Sequence, residues 1–202
     1  MSTEQAIYDS FRKLVIANGF HKIAVSDICR NANVSRKSFY AHFLDKEDLL
    51  EKTIYEDIIH PVIDIRRLVQ TENFRSAPRL VPEIMYRALL ENREFYSKLF
   101  AHGGQQYFSE ACIKVISAYN QKILNKNLTS EVTSGAAVAD AKESNANNFL
   151  AVELDYKAYF FAAANTMLLI KWIRDGWRLS PNQLARYFDK WALSNWVAQK
   201  QT

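Results

Sequence analysis

Residues 25–43 read VSDICRNANVSRKSFYAHF, and this stretch decides the fold. Val25, Ile28, Cys29 and Ala32 recur at the three- and four-residue spacing of one helix face. Asn33 follows where a tight turn needs a positive φ, which Asn tolerates better than most residues. Val34 then returns to the core. Ser35 is a good N-cap for a second helix, predicted over Arg36–Phe43. Phe39 and Phe43 lie one turn apart and face inward. Lys37 and Ala41 then point most directly away, flanked by Arg36 and Tyr40 on one side and by Ser38 and His42 on the other. A helix, a tight turn and a second helix with a polar, basic outer face are the requirements of a helix-turn-helix, whose second helix enters the major groove.

Upstream, Ile7, Phe11, Leu14 and Val15 mark the buried face of a first helix near Thr3–Ala17, and Asn18-Gly19 is its stop signal. Downstream, Asp45 is placed to cap a fourth helix, with Asp48 at the capping-box position. Leu49, Leu50, Ile54 and Ile58 carry its apolar face, and His60-Pro61 is expected to kink or interrupt it. Residues 71–78 are polar and turn-like and suit a hinge. Further helices are expected near Pro78–Glu91, Glu94–Ala101 and Gln105–Asn125. Residues 127–148 are small, polar and weakly periodic, and are expected to form a long loop with at most a short helix near Ala136–Ala141. Two strong helices close the chain, near Leu150–Trp177 and from Ser180-Pro181 to about Gln199. The first is apolar nearly all round. The second exposes Tyr187, Phe188, Trp191, Trp196 and Val197. One small domain hardly buries both, so they are expected to pair with their copies in a second chain.

The bulk properties agree. In 202 residues there are only 5 Gly and 4 Pro, which favours long helices over the many turns of an all-β chain. A hydrophobic share of 49% implies a folded core. The net charge of +4 permits nucleic-acid binding without demanding it, and the local cluster of Arg30, Arg36, Lys37, His42 and Lys46 matters more. Cys29 and Cys112 lie far apart in no C-x-x-C pair and read as buried, reduced thiols. No signal peptide or spanning segment is evident, so a soluble cytoplasmic protein is expected. His21, His42, His60 and His102 make no metal-binding spacing, and there is no Gly-rich phosphate loop or nucleophile elbow. Neither a cofactor nor catalysis is indicated.

Residues 20–50 resemble the DNA-binding domain of the TetR family of transcriptional regulators. The resemblance rests on Val25-x-Asp27-Ile28, Ala32-Asn33-Val34-Ser35, Ser38-Phe39-Tyr40-x-His42-Phe43 and Asp45-Lys46-Glu47-x-Leu49-Leu50. It implies an all-α fold, with residues 1–70 as a helix-turn-helix domain including the connecting fourth helix, and 71–202 as a helical domain that senses and dimerises through its last two helices. It implies that Ser35, Tyr40, His42 and Lys46 position phosphates, while Arg36, Lys37 and Ser38 read bases and Tyr40 reaches a thymine methyl. Ala24 stands where the family usually has a capping, phosphate-touching Thr, and Ser26 is a candidate for part of that role. Asn33 stands where the family usually has Gly. Residues 159–184 are similar to the C-terminal region of a Gram-positive subgroup of the family.

The resemblance further implies a homodimer on a palindromic operator and a small-molecule effector that moves the helix starting at Lys46. Candidate effector-binding residues are Tyr86, Phe100, Tyr107, Phe108, Tyr119 and Asn165; each aromatic is more often ordinary core, whereas an amide inside an apolar helix needs a partner. The same Asn165 could instead bond its twin across a dimer interface. A ligand-responsive repressor is the leading expectation. The alternative is a coactivator or adaptor whose C-terminal domain binds a partner protein.

Overall fold

The computed structural model describes residues 2–68, 79–132 and 143–193, and every regular element within them is helical. Helix α1 (Thr3–Asn18) opens with Ser2 Oγ accepting from the Gln5 N–H at 3.1 Å, and buries Ile7, Phe11 and Val15 completely. It ends at Gly19, whose φ is +84°; a Cβ there would stand 2.4 Å from the His102 Cβ. Both the backbone angle and the close approach therefore require glycine. A short 3-10 turn (Phe20–Lys22) leads to α2 (Val25–Ala32) and α3 (Arg36–Tyr40). The buried Ser10 hydroxyl donates to the Ile28 carbonyl at 2.9 Å and ties α1 to α2.

The connecting helix is one helical run in three pieces: α4 (Lys46–Ile54), a π turn (Tyr55–Ile59) and α5 (His60–Leu68). The interruption expected at His60-Pro61 takes this form. Pro61 has no N–H to give the Asp57 carbonyl, and the ladder just before it loosens, with the His60 N–H bonding to the Tyr55 carbonyl five residues back.

Then follow α6 (Leu80–Glu91), α7 (Arg93–Ala101), α8 (Gln105–Val132), α9 (Glu143–Arg174) and α10 (Pro181–Phe188), the last continued by a π turn (Asp189–Leu193). α8 and α9 form the most extensive pair, α10 packs on α6, and α4 packs on α8. One apolar cluster runs from Ile7 in α1 to Ala185 in α10.

Several expectations are corrected. The loop expected over 127–148 is not seen at either flank, because α8 runs on to Val132 and α9 begins at Glu143; residues 133–142 lie outside the described residues. Neither flank contains Gly or Pro, so nothing local stops a packed helix from extending through polar sequence. The short helix considered at Ala136–Ala141 and the hinge at residues 71–78 lie outside the described residues. The α-helical part of the second turn-helix ends at Tyr40 rather than Phe43; Ala41 and His42 form a turn, although the Phe43 N–H still reaches the Phe39 carbonyl at 2.9 Å. Phe188 is buried, not exposed, since it is on the face of α10 that carries Leu184 and Ala185 inward. Trp196 and Val197 lie outside the described residues.

Candidate nucleic-acid interface

The turn is built as its residues require. Asn33 sits in the left-handed region (φ 54°, ψ 45°), its N–H bonds to the Arg30 carbonyl, and the Val34 N–H bonds to the Cys29 carbonyl at 3.0 Å. Ser35 then caps α3, its Oγ accepting from the Ser38 N–H at 3.0 Å while lying 2.9 Å from the Ser38 hydroxyl. Phe39 and Phe43 anchor the segment at 0% and 1% exposure, with Tyr8 of α1 packed edge-on against Phe43 at 5.3 Å. That anchoring leaves Arg36, Lys37, Tyr40 and His42 exposed on the outer side. Arg36 lies along Tyr40, its guanidinium 5.9 Å from the ring centre and 3.4 Å from the hydroxyl.

The structure thus brings Ser35, Arg36, Lys37, Ser38, Tyr40 and His42 onto one short turn of chain. Ser26 stands apart, exposed in the first turn of α2. It does not replace the missing cap at Ala24. That end is closed from the other direction: the Asp27 carboxylate accepts from the Ala24 N–H at 2.9 Å and also pairs with Arg30.

Lys46 also differs from expectation. Its ammonium donates to the Phe20 and Ile23 carbonyls at 3.1 and 3.3 Å and lies 4.6 Å from the centre of the Phe20 ring. It ties the start of α4 to the strap between α1 and α2. At this helix end Asp45 Oδ1 accepts from the Asp48 N–H at 2.7 Å and Asp48 Oδ2 accepts from the Leu44 N–H at 2.9 Å.

Sequence reasoning missed Lys52. Its ammonium donates to the His42 carbonyl at 2.8 Å and to Asp48 at 3.0 Å, and lies 5.1 Å from the centre of the Phe43 ring. It clamps the end of α3 to α4. The signal was available: Asp48 and Lys52 are four residues apart on one helix face.

It also missed a buried polar junction. Arg12 of α1 is ion-paired with Asp57 in the π turn and donates to Asn92 at 3.3 Å. The Tyr96 hydroxyl of α7 donates to the other Asp57 oxygen at 2.7 Å. Burial pushes the Tyr96 phenol well above its ordinary range, which keeps it a neutral donor. Phe11 and Arg12 both pack on the Phe95 ring beside this group. Residues 80 positions apart supply no periodic signal, so this junction was not legible.

The six candidate effector residues do not converge. Phe100 and Phe108 pack together at 5.2 Å. Tyr107 instead packs on Phe20 at 4.7 Å, and the Tyr119 hydroxyl accepts from Arg66 at 3.0 Å. Tyr86 and Asn165 do meet: the phenol donates to the amide oxygen deep in the bundle. Beside Asn165, the Thr166 hydroxyl is buried next to the Cys112 thiol. Cys112 is fully buried, and burial pushes its thiol up to about 12. Cys29 is also buried, and both cysteines are free.

Among the described residues no group of three or more His, Cys, Asp or Glu is placed to hold a metal ion. No helix of the described residues is long and apolar enough to cross a membrane.

Two family models match the chain. "Bacterial regulatory proteins, tetR family" covers residues 5–53, and "Transcriptional regulator C-terminal region" covers residues 82–193. Among curated proteins, the dhaKLM operon transcriptional activator DhaS of Lactococcus lactis is 32% identical over 98 residues, 48% of this chain and 49% of that protein. The regulator YuxN of Bacillus subtilis is 26% identical over 118 residues, 56% of this chain and 40% of that protein. The chain therefore matches only about half the length of these relatives. Among solved structures, a TetR-family regulator from Syntrophomonas wolfei superposes with a TM-score of 0.56 at 18% identity, covering 92% of this chain and 90% of that one. DhaS superposes with a TM-score of 0.51 at 20% identity, covering 96% and 95%. These likenesses establish the same all-α fold. With the first model spanning α1–α4 and the second spanning most of the remainder, the chain belongs to the TetR family of bacterial regulatory proteins, which are DNA-binding transcriptional regulators and not enzymes.

Proposed function

We propose that the protein is a ligand-responsive repressor that binds a palindromic operator as a homodimer in the cytoplasm. The observation that carries this reading is the outer arc of α3, where Arg36, Lys37, Tyr40 and His42 stand exposed on a segment anchored by Phe39 and Phe43. Arg36, Lys37 and Ser38 read bases. Ser26, Ser35, Tyr40, His42 and the N-terminal backbone around Lys46 hold phosphates. Residues 1–70 form the reading head and its connecting helix, and 71–202 sense and dimerise.

The dimer face is the stripe Val152, Tyr156, Tyr159, Phe160 and Met167 on α9, continued by Tyr187 and Trp191. These side chains are 41–73% exposed in the single chain, an unfavourable arrangement for so many large apolar groups. The effector is read at Tyr86 and Asn165, where a phenol and an amide bond each other beside the buried Thr166 hydroxyl inside an apolar core. The two heads must stand about one DNA turn apart to fit both half-sites. A shift of the connecting helix, transmitted through Arg12, Asp57 and Tyr96, changes that spacing when the ligand binds one arrangement better.

The test is a footprint on the DNA flanking the protein's own gene, alone and with metabolite extracts. Protection of two symmetric half-sites, lost with an extract fraction, is expected. No protected palindrome at moderate salt contradicts the reading. A second reading, activation through a partner protein, is favoured by one fact: the relative DhaS is named an operon activator. In-vitro transcription from the protected promoter separates the two, since repression lowers transcript on adding the protein and activation raises it.

A further inference from the structure

A shallow groove of about 740 Å³ opens between α7 and the turn that joins α9 to α10. Its wall is Trp177, which follows Gly176 (φ +75°) and itself has a φ of +60°. A bulky residue rarely takes that conformation, and here several bonds hold it. The Trp177 N–H donates to the Trp172 carbonyl at 3.0 Å, and its indole Nε1 donates to the Ser97 hydroxyl at 2.9 Å. The Trp172 ring packs edge-on against it at 4.7 Å, and the Trp172 Nε1 is itself anchored on the Leu179 carbonyl at 3.0 Å. The indole is therefore fixed while remaining partly exposed to the groove.

Arg93 and Arg178 also line the groove, and both are exposed. Neither has a hydrogen bond or ion pair among the described residues. Leu90 and Pro181 add apolar surface, and Glu94 also lines the groove. The volume falls within the range of about 300–1,000 Å³ typical of small-molecule sites. Guanidinium is the natural partner of a carboxylate or phosphate, and an indole face suits a planar apolar body.

We propose that this groove binds a small aromatic anion, its charged group on Arg93 and Arg178 and its ring against Trp177. The site is separate from Tyr86 and Asn165. It lies on α7, whose Phe95 and Tyr96 touch α1 and Asp57 from the other side, so an occupant would sit one helix away from the buried junction.

The test needs no DNA. The full chain is labelled with 5-fluorotryptophan, the Trp177 resonance is assigned with Trp177→Phe, and phenyl phosphate is titrated by ¹⁹F NMR. A saturable shift of that resonance at about millimolar concentration or below is expected. The double variant Arg93→Gln/Arg178→Gln, both sites exposed, is expected to keep its thermal midpoint and lose affinity at least about tenfold. Benzyl alcohol, the neutral counterpart, is expected to leave the resonance unmoved. Calorimetric titration of the double variant against the unmodified chain gives the same answer if Trp177→Phe does not fold. Absence of saturable binding overturns the proposal, as does equal affinity in the double variant or an equal response to inorganic phosphate alone. So does a hexaglutamate peptide that binds where phenyl phosphate does not, which would assign the groove to a protein partner.

Discussion

The head and the bundle place polar groups on opposite sides of their surfaces. In α1–α3 and the start of α4, most polar residues are outside, closing helix ends or facing water, and the buried Ser10 is bonded to the Ile28 carbonyl. Ser2, Ser35 and Asp45 each accept a backbone N–H, Asp27 and Asp48 reach back to Ala24 and Leu44, and Arg36, Lys37 and His42 remain exposed. In α6–α9 the order is partly inverted. Tyr86, Asn165 and Thr166 are buried, while Tyr156 and Phe160 are 73% and 64% exposed. The first region is satisfied as a single chain with one charged arc to spare. The second buries a polar cluster within and shows an aromatic stripe awaiting cover without, which supports the assignment of reading to the head and of sensing and pairing to the bundle.

The comparison can be broken at the head first. Phe39 is fully buried between the turn-helix and α1, so Phe39→Ala is expected to cost about 3–5 kcal/mol of stability in denaturant titration. A loss under about 1 kcal/mol would mean that α3 is not anchored as described. Next in size is the junction. Arg12→Ala leaves the Asp57 carboxylate, 8% exposed, with Tyr96 as its remaining partner. Because Arg12 is itself 23% exposed and water can reach the site, the expected loss is about 2–3 kcal/mol. The double variant Arg12→Met/Asp57→Leu is expected to recover part of it. No recovery would show that the pair is needed for more than mutual neutralisation.

These two sites also mark how far the sequence could be read. Phe39 was legible because its neighbours obey one local period: Val25 to Ala32, then Phe39 and Phe43, with Asn33 and Ser35 punctuating between. Most of the interface followed from the same period, since fixing Phe39 and Phe43 inward fixes Arg36 and Lys37 outward. The contacts that could not be read were tertiary. Lys46 was expected to face phosphate, yet its ammonium finds two carbonyls of a strap distant in sequence. Arg12, Asp57 and Tyr96 come from three helices and meet only after packing. In the bundle, aromatic spacing suggested a lined pocket, but Tyr107 and Tyr119 turned to the head and to Arg66 instead. The continuation of α8 to Val132 escaped notice because its sequence is polar without being helix-breaking.

The inverted side of the comparison is sharpened by charge on the α9 stripe. Phe160→Glu is expected to convert the proposed dimer to a monomer in sedimentation while changing the helical circular-dichroism signal little, because Phe160 is exposed in the single chain. A dimer that persists would move the pairing face elsewhere. The smallest expected effect is at Ala24, which ends α2 without a side-chain acceptor. Ala24→Thr is expected to raise stability by about 0.5–1 kcal/mol, read from the thermal midpoint, and to tighten DNA binding modestly. An unchanged midpoint would show that the Asp27 bond to the Ala24 N–H already satisfies that end.

The central claim is that the outer arc of α3 meets DNA while its inner face only holds the fold. Arg36→Ala and Lys37→Ala, measured side by side for thermal stability and for affinity to the footprinted operator, test it most directly. Stability within about 0.5 kcal/mol of the parent is expected, with binding weakened by about 1–3 kcal/mol for each substitution. Operator affinity equal to the parent in both variants would contradict it.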